Sequence, residues 1–182
     1  GDMTKGFVTT NTHKTETVDI PGVKTWTDAN NQDGMRPTSI TIRLLADGKE
    51  VDHVTVTQKD NWNWKFTDLP KYNAGKEVKY TITEDPITNY TTDIKGYDVE
   101  NIHVPETVVL EGNKVWNDAN NQDGVRPDEI TINIMNGTKV VESIKLSSGA
   151  DKVWQDAELE WKSSKLPKYE NGVAITYKAV EE

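Results

Sequence analysis

Val23-Lys24-Thr25-Trp26-Thr27-Asp28-Ala29-Asn30-Asn31-Gln32-Asp33-Gly34-Met35-Arg36-Pro37 recurs ninety residues later as Asn113-Lys114-Val115-Trp116-Asn117-Asp118-Ala119-Asn120-Asn121-Gln122-Asp123-Gly124-Val125-Arg126-Pro127. Ile40-Thr41-Ile42 returns as Ile130-Thr131-Ile132, and after an insertion Trp64 to Tyr72 matches Trp161 to Tyr169 at an offset of 97. Self-similarity of this kind is the signature of tandem structural repeats. The chain therefore reads as two homologous units, residues 17–106 and 107–182, with almost no linker. Thr10-Asn11-Thr12-His13 stands ahead of Lys24 as Glu100-Asn101-Ile102-His103 stands ahead of Lys114. Residues 1–16 are thus a tail, or carry the closing strand of a preceding repeat over Phe7 to His13. The second unit reaches Glu181-Glu182, the equivalents of Glu84-Asp85, without a counterpart of the strand around Asn101. Gly1-Asp2-Met3 reads like a cloning remnant, so an excised fragment is expected.

Each unit reads as all-β. Ser39 to Leu45 alternates polar and apolar residues before Asp47-Gly48, and Glu50 to Thr57 alternates again, which is a hairpin signature repeated at Met135-Asn136-Gly137-Thr138. Trp62-Asn63-Trp64-Lys65-Phe66 places three aromatic residues on one expected strand face, and Val78 to Glu84 is another alternating run. No long segment shows a 3.6-residue period. Short strands with frequent turn signals predict two tandem β-sandwiches.

Composition removes several function classes. Thirty acidic residues against twenty-one basic give a net charge of −9 with no basic stripe, which disfavours a nucleic-acid partner. No apolar run approaches the length of a membrane span, so no membrane insertion is expected. Cysteine is absent, which excludes disulfides, thiolate metal sites and a thiol nucleophile. A secreted domain of this size would need some other staple.

Strand parity singles out three polar residues. Alternation points Tyr80, Ile82 and Glu84 inward on one strand, and Tyr97, Val99 and Asn101 on another; Lys24 shares parity with Ile20 and Trp26. A lone buried Lys or Glu is costly, so buried charges are normally paired or neutralised. If the three meet they form a reactive set. A desolvated lysine is a neutral amine nucleophile. A desolvated glutamic acid holds the proton that polarises a carboxamide. The amine attacks the Asn101 side-chain carbonyl, ammonia leaves, and an amide joins two strands. From parity alone, a salt bridge at the sandwich rim competes with this reading.

The Lys-x-Trp-x-Asp-x-Asn-Asn-Gln-Asp-Gly-x-Arg-Pro stretch, Leu69-Pro70-Lys71-Tyr72 and Tyr80-Thr81-Ile82-Thr83-Glu84-Asp85 together resemble the B-type repeats of collagen-adhesin-like surface proteins of Gram-positive bacteria. The resemblance implies an inverse immunoglobulin-like sandwich in each unit, carrying a self-formed Lys–Asn isopeptide bond promoted by a buried acid. It places the lysine at Lys24 and Lys114, the acid at Glu84 and Glu181, and the asparagine at Asn101 and, for an upstream unit, at Asn11. Unit one has a full set; unit two has no acceptor of its own. Docking of the Asn11 strand, residues 7–13, onto the open second unit of a neighbouring chain would join Lys114 to Asn11 head to tail.

The resulting expectation is structural: stalk repeats of a cell-wall-anchored surface adhesin, whose partners are neighbouring repeats of the parent protein. The chemistry is single-turnover and self-directed, so no enzyme activity and no cofactor are expected. Alternatives are a module that binds host matrix or carbohydrate, for which inserted Trp154 is the main candidate, and an engineered isopeptide-forming assembly protein. Asp28 to Gly34 loosely resembles a calcium loop, but its glycine is one place late and no closing glutamate follows. His13 and His103 are repeat equivalents and His53 has no partner by motif, so no metal site is expected.

Overall fold

In a computed structural model the described residues are 9–148, 154 and 158–182. They form two compact units: one up to Thr27 together with Pro37–His103, the other Asp28–Arg36 together with Val104–Glu182. The first repeat's Asp-Ala-Asn-Asn-Gln-Asp-Gly loop thus groups with the second unit, a long-range placement that no local sequence pattern announces.

In the first unit, strands β1 (Thr17–Thr27), β2 (Ser39–Ala46), β3 (Lys49–Thr57), β4 (Asn63–Pro70), β5 (Tyr72–Asn73), β6 (Lys76–Glu77), β7 (Tyr80–Glu84), β8 (Thr91–Lys95) and β9 (Asp98–Ile102) follow in chain order. One sheet runs β4-β1-β9-β8 and the other β3-β2-β7. The β1–β9 pair is parallel, with Lys24 opposite Val99 and Trp26 opposite Asn101. Strong alternation drives this arrangement: β1 buries Ile20, Gly22 and Lys24 and turns the residues between them outward. Ile40, Ile42 and Leu44 of β2 and Ile82 of β7 belong to one core with Ile20, Val99, Trp64 and Phe66. Each such side chain contributes about 1.5–3 kcal/mol on burial. The Asp47-Gly48 turn closes the β2–β3 hairpin with both residues at positive φ, 51° and 84°, as its dipeptide predicts. Trp62 departs from the expected aromatic face. It precedes β4 in a left-handed conformation and packs edge-on against Trp26 instead. Gly22 is needed because a Cβ there would lie 2.2 Å from the Tyr97 carbonyl oxygen and 2.4 Å from the Trp64 ring.

The second unit contains β10 (Thr107–Val108), β11 (Glu111–Val115), β12 (Glu129–Asn136), β13 (Lys139–Ser147), β14 (Glu158–Lys162), β15 (Leu166–Pro167), β16 (Tyr169–Glu170), β17 (Val173–Ala174) and β18 (Tyr177–Glu181). Its β13-β12-β18 sheet repeats β3-β2-β7, and β11 pairs with β14 as β1 pairs with β4. Among the described residues no strand covers the edge of β11 that corresponds to the β9 side of β1. Ile130, Ile132, Ile134, Leu166 and Trp154 form the core.

A candidate amide-forming site in the first unit

Parallel pairing of β1 with β9, and pairing of β2 with β7, set the positions of three side chains. Lys24 is 3% exposed and Asn101 fully buried, and the side chains of Lys24 and Glu84 are both completely covered. Lys24 Nζ lies 3.7 Å from Glu84 Oε1, donates to the Thr25 carbonyl at 3.1 Å and sits 4.2 Å from the Trp26 ring centre. Trp62 and Tyr90 pack edge-on against Trp26, so aromatic rings shield the amine from water. Glu84 Oε2 accepts a hydrogen bond from the Thr92 hydroxyl at 2.8 Å. That β8 hydroxyl escapes sequence reasoning, because nothing in its neighbourhood marks it as facing an acid on β7, a strand of the other sheet.

Asn101 carries the chemical signal. Neither its carboxamide oxygen nor its nitrogen has a hydrogen-bond partner among the described residues, although both are buried. A buried amide without partners forfeits about 1–3 kcal/mol per group, so native structures rarely leave one. The register puts Asn101 opposite Trp26, two positions along from Lys24 on the adjoining strand, with alternation turning all three to the same face. A buried Lys–Glu pair and a buried unsatisfied carboxamide thus share the interior of one sandwich.

The second unit holds two of the three groups in a different setting. Lys114 Nζ donates to both Glu181 oxygens at 2.9 Å and lies 4.3 Å from the Trp116 ring. Its side chain is 17% exposed and that of Glu181 40%, against zero for both counterparts. Asn11 is exposed and lies outside any strand; part of the expected Phe7–His13 strand falls outside the described residues.

The Asp28 loop is organised by arginine. Arg36 Nη2 and Nε donate to the two Asp28 oxygens at 2.7 and 3.0 Å, and Arg126 repeats the fork on Asp118 at 2.5 and 2.7 Å. Arg126's hydrogen bonds are the largest reason that the Asp118 carboxyl falls from 3.8 to about 2, with the Asn121 amide assisting and desolvation opposing. Because the folded value is depressed, this contact's stabilisation is complete above the ordinary pH 3.8 and is lost as pH falls through about 2. A carboxyl-carbon NMR titration should place the Asp118 midpoint near 2, and Arg126→Gln should return it toward 3.8. An unchanged midpoint in the variant would exclude the fork as the cause.

Trp154 does not offer a binding shelf. It is 8% exposed, donates its ring N–H to the Pro127 carbonyl at 2.8 Å and packs 5.4 Å from Trp116, as Trp62 packs on Trp26. The inserted segment therefore supplies the second unit's equivalent of Trp62, which removes the main support for a matrix- or carbohydrate-binding module.

The sequence profile of the Cna protein B-type domain matches residues 20–102 and again residues 110–182. The chain belongs to the Cna B-type domain family. Among curated relatives of these B-type repeats, the collagen adhesin of Staphylococcus aureus is 45% identical over 128 residues, covering 70% of this chain and 11% of the adhesin. The chain thus spans about a tenth of that relative's length. Among solved structures, a single B repeat unit (B1) of the collagen-binding surface protein of Staphylococcus aureus is 36% identical, with a TM-score of 0.48 over 91% of this chain and 86% of that one. The two-repeat B1B2 structure of the same protein is also 36% identical, with a TM-score of 0.49 over 92% and 43%.

Proposed function

We propose that these B-type repeats are stalk segments of a cell-wall-anchored surface adhesin of a Gram-positive bacterium, and that the first is locked by a self-formed amide between Lys24 and Asn101. The family and the collagen adhesin relative support the stalk reading; the buried, unpartnered Asn101 carboxamide in the sandwich that buries Lys24 and Glu84 supports the cross-link. Proton transfer within the Lys24–Glu84 pair gives a neutral amine and a carboxylic acid. The Lys24 nitrogen attacks the Asn101 side-chain carbonyl carbon, forming the new N–C bond. Glu84 relays the amine's proton to the departing Nδ2, the old C–N bond breaks, and ammonia leaves. No water, metal or cofactor is consumed, and the protein turns over once.

In the second unit, Lys114 and Glu181 stand on strands whose open edge suits an asparagine-bearing segment, and Asn11 of a second copy supplies that chemistry. Intact mass under denaturing conditions tests both steps. A monomer one ammonia lighter than the sequence, with the loss abolished in Lys24→Ala, is expected for the first bond. A boil-resistant ladder that disappears in Lys114→Ala is expected for the second. A monomer at full sequence mass would overturn the cross-link and leave an ionic cluster in an ordinary sandwich.

A further inference from the structure

The geometry points to a docking site between copies of this chain: the Asp118–Arg126 loop of one copy seats in the groove of the first unit of another. The second unit displays the bound form of this contact within itself. Its Asp28–Arg36 segment lies against a groove lined by Lys139, Val141, Tyr169 and Tyr177, with Ala29, Asn30 and Gln32 forming part of the wall. The Gly172 N–H donates to the Gln32 carbonyl at 2.9 Å, and the Glu106 N–H donates to Asp33 Oδ2 at 2.8 Å. The backbones meet so closely that a Cβ on Gly34 would lie 2.5 Å from Gly172 Cα.

Among the described residues, every part of this contact has a repeat equivalent that stands open. The first unit has the same groove, with Lys49, Val51, Tyr72 and Tyr80 where the second has Lys139, Val141, Tyr169 and Tyr177. Gly75 is the equivalent of Gly172 and keeps the same left-handed backbone, φ 79° against 77°, yet a Cβ there meets nothing within 4 Å. Glu16 is the equivalent of Glu106: each pairs with the lysine of the Leu-Pro-Lys-Tyr motif, Lys71 or Lys168, and accepts its backbone N–H. Gly124 repeats Gly34 and likewise has open space around it. Burial follows occupancy. Asp33 is buried and Asp123 exposed; Leu166 and Tyr169 are more covered than Leu69 and Tyr72. Val125, in the place of half-buried Met35, is 76% exposed.

A chain that presents the loop on one unit and the empty groove on the other is self-complementary head to tail. Such a heterologous contact extends into filaments unless its rotation closes a ring. The register follows from the filled example: the Asp123 carboxylate accepts from the Glu16 N–H, the Gln122 carbonyl accepts from the Gly75 N–H, and Gly124 lies against Gly75. Lys114 and the β11 edge take no part, so this association is separate from any strand exchange and from the cross-link.

A concentration series of amide NMR spectra on the whole chain, extending to millimolar, tests the site in a Lys114→Ala background that removes covalent joining. The amides of Glu16, Gly75 and Gln122–Gly124 should shift together as concentration rises. Asp123→Ala removes an exposed carboxylate and should weaken the association about tenfold, while Asp123→Asn retains an acceptor and part of the affinity. Absence of concentration-dependent shifts, shifts centred on β11, or equal shifts in Asp123→Ala would each overturn the docking site. None of these results bears on the ammonia loss at Lys24, so the two readings fail independently.

Discussion

Lys24→Ala should lower the melting temperature of the first unit by about 20 °C. An amide joining residues 24 and 101 closes most of the unit into one covalent loop, and a closure of that size removes enough unfolded-state entropy to stabilise by about 4 kcal/mol. For a domain of roughly this length each kcal/mol moves the midpoint by about 4–8 °C. Calorimetry separates the units: the substitution lies in the first, so the transition of the second should stay in place. A first-unit shift under about 5 °C would mean that no covalent closure exists in the parent protein.

The second large effect distinguishes the acid's chemistry from its charge. Glu84→Gln keeps the side chain's shape and lets the Thr92 hydroxyl still donate to an oxygen, but it removes the group that moves the proton. The variant should keep its full sequence mass. With no bond formed, Lys24 stays a buried ammonium that has lost its ion pair with Glu84, and breaking such a pair typically costs about 3–5 kcal/mol. Adding Lys24→Met removes the stranded charge, so the double variant should be more stable than Glu84→Gln alone while also remaining uncross-linked. Equal stability of the two would show that the Lys24–Glu84 pairing contributes nothing in the unbonded sandwich. Ammonia loss in Glu84→Gln would remove the glutamate from the reaction.

Much of this site is legible in the chain because β-strands report their faces one residue at a time. Alternation through Ile20, Gly22, Lys24 and Trp26 sets Lys24 beside core residues, and the same counting reaches Glu84 through Ile82 and Asn101 through Val99. The hairpin at Asp47-Gly48 is equally local, since two consecutive positive φ angles require such residues. What escapes is non-local. Thr92 reaches Glu84 from another strand, and the parallel pairing that brings Asn101 beside Trp26 depends on topology rather than pattern. Trp154 conceals its equivalence to Trp62 because the insertion changes the repeat offset, and only packing against Trp116 reveals it. The attachment of Asp28–Arg36 to the second unit is invisible for the same reason: the loop's sequence suits a turn, and its partner groove lies more than a hundred residues onward.

The parallel pairing of β1 with β9 also fixes a schedule. Lys24 lies on the unit's first strand and Asn101 on its last, so neither can find the other until every intervening strand has been made and put in place. Before that moment the polypeptide is an open thread with two free ends, able to pass lengthwise through a narrow export channel. With the proposed amide formed it would be a ring with tails, which could not be drawn back through the same opening. In the proposed surface stalk, a bond across the first and last strands would thus make export a one-way step, timed by the arrival of the final strand rather than by any added factor.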